Sequence, residues 1–404
     1  MNGFEQEYYR YTSLDLHKLG GINKQYSSPC YVYSKNTISE SYKKLKNSLP
    51  DKFRIFYAQK SNPNPEILQH ISKLGAGCDT ASLGEMKSAL RAGFTPENIM
   101  LTGPSKSEEE IKFAVENNLL SVNVESVQEL ELTDKISFES GKVQGILVRV
   151  NPPYDSSETT RIIGGTGVSK FGIDIEQIYE FFSYLKSKKN VSLKGIHIFN
   201  SSQILDENRI FSNTKNVIDT AIELSQKYSF SIKKIDLGGG FGIPYSSEET
   251  QLDIESLGNK LNSLTESKEY KSFLEDVTLI YEPGRYLSGR AGIYLVKVLY
   301  TKTSRGQKIL LTDGGIHHML RPALIGQSHP AINLTALFEG RNNAENYMVA
   351  GPLCTSLDTF GENIGLAESK PGDIIAFMNA GAYGYTESMP MFLSHPAAKE
   401  IFID

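Results

Sequence analysis

The chain has 404 residues, of which 39% are hydrophobic and 22% charged, so it can bury a sizeable core and falls outside the disordered classes. A net charge of −5 without a long basic run sets nucleic acid aside as a partner, and no apolar run is long enough to cross a membrane. Cys30, Cys78 and Cys354 lack disulfide or metal spacing, and the N-terminus is polar and acidic, which points to a reducing cytoplasm.

This length predicts two domains, or one barrel with an appendage. Tyr31-Val-Tyr33 reads as an isolated strand. Eight strand-like runs follow, at 53–60, 75–82, 99–103, 120–126, 145–151, 193–199, 233–240 and 278–286. The stretches 65–74, 83–92 and 107–117 between them carry apolar residues at helical spacing. Strand and helix alternating eight times predict a parallel (β/α) barrel whose active site gathers at the C-terminal strand ends. Beyond residue 286 the pattern changes to strands at 291–302, 307–313, 346–350, 373–379 and 399–403, without regular helices between them. We therefore expect an N-terminal strand (1–35) that joins a C-terminal β domain (287–404), with the barrel at 36–286. The polar stretches 155–166 and 246–251 read as surface loops, and 338–346 as a further one.

Chemistry-bearing residues recur at the strand ends. Lys60 closes the apolar run Phe53-Arg-Ile-Phe-Tyr-Ala-Gln-Lys60 before Ser61-Asn-Pro-Asn-Pro65. A lysine at the end of a buried strand loses its proton more readily than a surface one and can attack a carbonyl, such as the aldehyde of pyridoxal phosphate. A surface lysine capping a strand is the plain alternative. Gly238-Gly-Gly-Phe-Gly242 follows Ile235-Asp-Leu237, and such a turn is either structural or a phosphate cradle. It is not a dinucleotide fingerprint. Glu282-Pro-Gly-Arg285 ends the next strand, with a carboxylate suited to a protonated ring nitrogen and a guanidinium suited to phosphate; a surface ion pair is the alternative. His317 and His318 read as neighbours on a strand, facing opposite ways. No acid or cysteine stands near them, so no metal is expected.

In order along the chain come Tyr57-Ala-Gln-Lys-Ser-Asn-Pro-Asn-Pro65, Gly75-Ala-Gly-Cys-Asp-Thr-Ala-Ser82, Ser169-Lys-Phe-Gly172, the glycine turn, Glu282-Pro-Gly-Arg285, Gly351-Pro-Leu-Cys354 and Gly381-Ala-Tyr-Gly384. Together they resemble the fold-type III pyridoxal-phosphate decarboxylases, the group of diaminopimelate and ornithine decarboxylases, from about residue 29 to the C-terminus. The resemblance implies a barrel of the alanine-racemase type with a C-terminal β domain, pyridoxal 5'-phosphate as cofactor, and a homodimer with shared sites. It also implies roles. Lys60 would hold the cofactor covalently and Glu282 would keep its ring nitrogen protonated. Ser202, Gly239, Gly240, Arg285 and Tyr383 would hold the phosphate, Asp79 and Arg149 would support the site, and Cys354, from the partner subunit, would return a proton. Tyr383 would also face the substrate. For Cys354 by itself, a small buried filler is the ordinary reading.

Departures from the family pattern bear on the substrate. Relatives carry a ring-stacking histidine where Ile196-His-Ile-Phe199 places Phe199; an aromatic ring can still stack there. His197 is expected to pack inside the barrel. In Cys354-Thr-Ser-Leu-Asp358, Thr355 stands where diaminopimelate and ornithine enzymes place the acid that reads a distal amine. Thr355 and Asp358 are candidate substrate contacts on this loop. Asp313-Gly-Gly-Ile-His-His-Met-Leu-Arg321 resembles a diaminopimelate-branch element whose arginine, here Arg321, binds a substrate carboxylate, while its tyrosine is replaced by Ile325. The stretch 351–396, with Phe392-Leu-Ser-His-Pro396, is most similar to biosynthetic members acting on tethered amino acids, such as the butirosin-pathway enzyme for glutamyl–acyl-carrier protein.

The sequence thus predicts decarboxylation of an amino-acid moiety, free or attached to a carrier protein or peptide–nucleotide, in secondary-metabolite or antibiotic biosynthesis. The alternatives are diaminopimelate decarboxylase itself and a non-catalytic cofactor-binding homologue. A racemase of this fold would use a tyrosine opposite the lysine, where this chain offers a cysteine.

Overall fold

The structure is a computed structural model that describes residues 8–16, 18–19, 28–152, 168–199 and 201–404. The loop expected at 155–166 lies outside the described residues. The chain divides into two compact units: one comprises Tyr42–Gly242 and Leu252–Gly284, and the other comprises the chain up to Ser41, Ile243–Gln251 and Arg285–Asp404.

The first strand, β1 (Cys30–Tyr33), belongs to the second unit. The first unit is built on β2 (Phe53–Ala58), β3 (Gly77–Thr80), β4 (Ile99–Leu101), β5 (Ser121–Val124), β6 (Gln144–Asn151), β8 (Val191–His197), β9 (Lys234–Asp236) and β10 (Thr278–Tyr281), with a short β7 (Ile173–Asp174) beside β6. Their order is β5-β4-β3-β2-β10-β9-β8-β6, and a β5–β6 pairing closes the ring. Every pairing is parallel. These are the eight expected runs, closed into the expected barrel. Strands covered on both faces bury nearly every residue, which is why they read as short apolar runs; in β2 only Arg54 is exposed.

Local signals start the outer helices. Asn64 caps Pro65–Lys73 by accepting from Glu66 N, proline takes the first turn, and Ile67, Leu68 and Ile71 form its buried stripe. Ser107 and Glu110 form a reciprocal capping box on Glu108–Glu116. Within the barrel, Phe56, Met100, Leu147 and Ile280 form a buried apolar cluster. Replacing Leu147 by Ala removes most of a side chain from this packed layer and should destabilise the unit by about 2–5 kcal/mol. A fall in the denaturant midpoint would check this, and an unchanged midpoint would contradict it.

The second unit is an eight-stranded, mostly antiparallel sheet. Its strands after β10 are β11 (Gly292–Ser304), β12 (Gln307–Thr312), β13 (Ala331–Asn333), β14 (Ala344–Ala350), β15 (Thr359–Ala367), β16 (Ile374–Phe377) and β17 (Lys399–Phe402). The order is β13-β16-β11-β12-β14-β15, with β1 pairing β11 and β17. Val32, Ile293, Leu295, Ile374 and Ala376 centre its core.

Several local expectations need correction. β13 and β15 were not legible as strands. The helices Arg321–Ile325 and Leu334–Glu339 stand where none was expected: a proline opens the first, and the Asn333 side chain caps the second. The stretch 338–346 is the end of that helix, a turn and the start of β14 rather than one loop. His317 and His318 lie in a turn after β12, not on a strand, and their ring centroids are 3.8 Å apart. Among the described residues, no helix is long and apolar enough to cross a membrane.

Candidate active site

The barrel strands end on a buried polar layer. Lys60 sits just past β2, on the single turn Gln59–Ser61 rather than on the strand itself. Its Nζ lies 2.9 Å from Asp79 Oδ2; the lysine side chain is 48% exposed and the aspartate 1%. The other Asp79 oxygen accepts from Thr102 Oγ1 at 2.6 Å. Asp79 is thus fixed from below while it aims the lysine, an accessible amine on a rigid support.

Around the ring, Asn123, His197 and Asp236 come from the ends of β5, β8 and β9, and Glu282 directly follows β10. All four are buried. Asn123 Nδ2 is 3.3 Å from His197 Nδ1 and 3.5 Å from Asp236 Oδ2. His197 Nε2 is 3.9 Å from Glu282 Oε2. These His197, Asp236 and Glu282 donors form the one such group of three within 4.8 Å among the described residues. Burial, then the Arg149, Lys60 and Lys106 charges, holds His197 well below the usual imidazole range, so the ring is neutral. Burial pushes Asp236 up to about 7. Burial, then the Asp236 and Asp79 charges, raises Glu282 well above the usual carboxylate range. Two such carboxyls cannot both ionise cheaply, so one holds a proton. Glu282 Oε1 and His197 Nε2 have no hydrogen-bond partner among the described residues. A buried, partnerless carboxylate oxygen suits a ligand N–H.

Beside this layer, Gly238 and Gly240 adopt positive φ, +66° and +103°. A Cβ on Gly239 would lie 2.6 Å from Glu282 O, and one on Gly240 2.8 Å from Ser201 O, so only glycine fits the cradle. Asp236 Oδ1 accepts from Gly238 N at 3.0 Å and ties the carboxylate pair to this turn. Phe199 lies against Gly238. Ser202 is exposed on a segment laced to the turn by Ile204 N–Gly240 O at 2.8 Å and Gly242 N–Ile204 O at 2.9 Å. Arg149 NH1 is 3.0 Å from Glu125 Oε1 and its guanidinium lies over Phe171, while Glu125 Oε2 accepts from Gly172 N at 2.8 Å. That arginine therefore anchors the Ser169-Lys-Phe-Gly172 segment.

The second unit groups another set. Arg285 donates to Tyr245 OH at 2.9 Å and lies 4.7 Å over the Tyr383 ring. It is 6% exposed and has no carboxylate partner among the described residues. Arg321 lies on the same ring at 4.7 Å. Cys354 is exposed on the loop between β14 and β15. Thr355 Oγ1 accepts from Leu357 N at 3.3 Å. Asp358 is buried, with its oxygens accepting from Ile316 N and Leu353 N, both at 2.7 Å, so its carboxylate is committed to the loop's own backbone.

A lysine held by a carboxylate, a buried proton-sharing acid pair and a glycine cradle at the open end of a (β/α) barrel define a pyridoxal-phosphate class of site. The profile of the pyridoxal-dependent decarboxylases, pyridoxal binding domain, matches residues 35–289. L-glutamyl-[BtrI acyl-carrier protein] decarboxylase of Niallia circulans is 30% identical over 96% of this chain and 92% of its own. Diaminopimelate decarboxylase of Aquifex aeolicus is 33% identical over 95% and 88%. The crystal structure of diaminopimelate decarboxylase from M. jannaschii in complex with L-lysine superposes with a TM-score of 0.87, at 29% identity, over 95% of this chain and 88% of that one. The chain belongs to the pyridoxal-dependent decarboxylases, and it is an enzyme of that reaction class with pyridoxal phosphate as cofactor. Within the first unit, the Glu282 oxygen that has no hydrogen-bond partner among the described residues fits a protonated ring nitrogen, and the glycine cradle closed to any Cβ fits a phosphate.

The sequence singled out Lys60, Asp79, Arg149, the glycine turn, Glu282 and Arg285, but gave Asp236, Asn123 and Glu387 no role. An acid two residues before a triple glycine was the available signal for Asp236. The other two carried none.

Proposed function

We propose that this enzyme removes the α-carboxylate of an amino-acid moiety attached to something larger, a carrier protein or a peptide–nucleotide precursor, in secondary-metabolite or peptide-antibiotic biosynthesis. The observation that carries this reading is the loop 351–358. It offers Thr355 where an acid would read a distal amine, and its one acid, Asp358, has both oxygens committed to backbone N–H groups. A site that reads an amine rejects substrates lacking it, because its own acid would be left unpaired. This loop has no acid to leave unpaired and should tolerate an extended or masked side chain.

In this reading Lys60 holds the cofactor covalently, with Asp79 orienting it. Glu282 keeps the ring nitrogen charged, and Phe199 covers the ring. Gly239, Gly240, Ser202, Arg285 and Tyr383 bind the phosphate, and Arg149 stabilises the site through Glu125 and Phe171. Pyridoxal phosphate, when bound, supplies the electron sink for the pair left at the α-carbon as carbon dioxide departs. The exposed Cys354 thiol donates the proton that replaces the carboxylate. Thr355 and Arg321 face the substrate, while Asp358 shapes the cysteine loop. We assign the working form to a cytoplasmic homodimer in which Cys354 serves the partner's site.

The diaminopimelate reading draws support from the Arg321-Pro-Ala-Leu324 element and from the 33% identity to the Aquifex enzyme. Carbon dioxide release decides between the two. Glutamyl–carrier protein and peptide-linked amino acids should give higher kcat/KM values than free meso-diaminopimelate, ornithine or lysine. The highest kcat/KM on free meso-diaminopimelate would replace this proposal with lysine biosynthesis.

A further inference from the structure

Arg321 is 4% exposed and already holds a carboxylate. Its NH1 donates to Glu387 Oε2 at 2.9 Å, its Nε donates to Gln327 Oε1 at 3.1 Å, and its face covers Tyr383. Arg285 lies on the same ring without an acidic partner among the described residues. Two buried guanidinium groups thus share one tyrosine and one carboxylate. The chain itself answers the charge of Arg321 and leaves that of Arg285 for a ligand.

Glu387 stands at the end of the turn Tyr385–Glu387, directly after Gly381-Ala-Tyr-Gly384, and its side chain is one-third exposed. Burial raises its carboxyl, and Arg321, then Arg285, pulls it back toward the ionised form. A substrate carboxylate brought to Arg321 would meet an anion already in place. Glu387 already offsets that attraction, and two carboxylates on one buried guanidinium repel each other. A neutral acyl group loses nothing to that repulsion and can still accept a hydrogen bond.

We infer that Glu387 is a specificity-determining residue: by neutralising Arg321 it bars amino acids whose distal end is a free carboxylate and admits those in which that carboxylate is masked as an amide, ester or thioester. This deepens the proposed function, and it rests on that reading for the placement of Arg321 toward the substrate's distal end.

The test compares free L-glutamate with its γ-N-methylamide on the cofactor-loaded enzyme, in the natural chain and in Glu387→Gln and Glu387→Met. The natural chain should favour the amide by tenfold or more in kcat/KM, and both variants should move the free-to-masked ratio toward the free acid by at least tenfold. Calorimetric binding of glutarate to the loaded protein, which requires no turnover, should tighten in both variants. An unmoved ratio together with unchanged glutarate binding overturns the inference. Failure of the proposed function looks different: free meso-diaminopimelate would be the best substrate of the natural chain, whether or not the Glu387 variants shift the ratio.

Discussion

Lys60→Ala should reduce decarboxylation by at least a thousandfold and abolish covalent retention of the cofactor. The amine is half-exposed at the mouth of the barrel, and the buried Asp79 carboxylate, itself held by Thr102, points it there. In the proposed role, alanine would remove the nucleophile and take from the buried Asp79 the cation that stands 2.9 Å away, so the cofactor would lose its bond. Borohydride treatment followed by mass measurement reads retention directly: the natural chain should carry the cofactor mass and the variant should not. Cys354→Ala should also be inactive. If Cys354 serves the neighbouring subunit, mixing the two inactive variants should restore part of the activity, since a hybrid dimer carries one intact site. A Lys60→Ala protein that kept the reducible adduct would remove Lys60 from the mechanism. Absence of recovery after proven subunit exchange would mean that each chain completes its own site.

What was readable in the sequence follows from how strongly each feature constrains local residue choice. The eight barrel strands were legible because burial on both faces demands continuous apolar runs, and because each run ends where polar side chains enter the barrel mouth. β15 was not legible: it contains Gly361, Gly365, Glu362 and Asn363, is half-exposed, and owes its strand geometry to pairing with β14. The helix Leu334–Glu339 is too short for a periodic signal and depends on the Asn333 cap. Residues tied to a motif, such as Glu282 and Arg285, could be named in advance. Residues that matter through long-range proximity could not. Asp236 becomes informative only when β9 and β10 are neighbours, and Glu387 only when Arg321 is seen to be its partner. The paired histidines show the same limit, since alternation along a strand says nothing about a turn.

Replacing Glu282 with Gln should move activity and stability in opposite directions. For activity, the amide cannot hold a charged ring nitrogen, and removing a preorganised group of this kind lowers kcat by about a hundredfold or more. For stability, the cofactor-free barrel buries Asp236 and Glu282 together, with both carboxyls raised, Asp236 to about 7. The unfolded chain ionises them near pH 4. Between about pH 4 and 7 the folded state therefore holds a proton that the unfolded state has released, so stability falls as pH rises through that window and stays low above it. Gln removes an acid that folding must otherwise keep protonated, and gives Asp236 a neighbour that is neutral at every pH. The cofactor-free variant should then melt at a higher temperature than the natural chain at pH 8, with a flatter pH dependence, while its loaded form is nearly inactive. Melting curves of the two cofactor-free proteins at pH 5 and pH 8 check the sign. A variant less stable than the natural chain at both pH values would make Glu282 a structural residue of the barrel. The expected pattern would make the repulsion between the two acids a cost that folding bears so that a carboxylate stands ready under the cofactor ring.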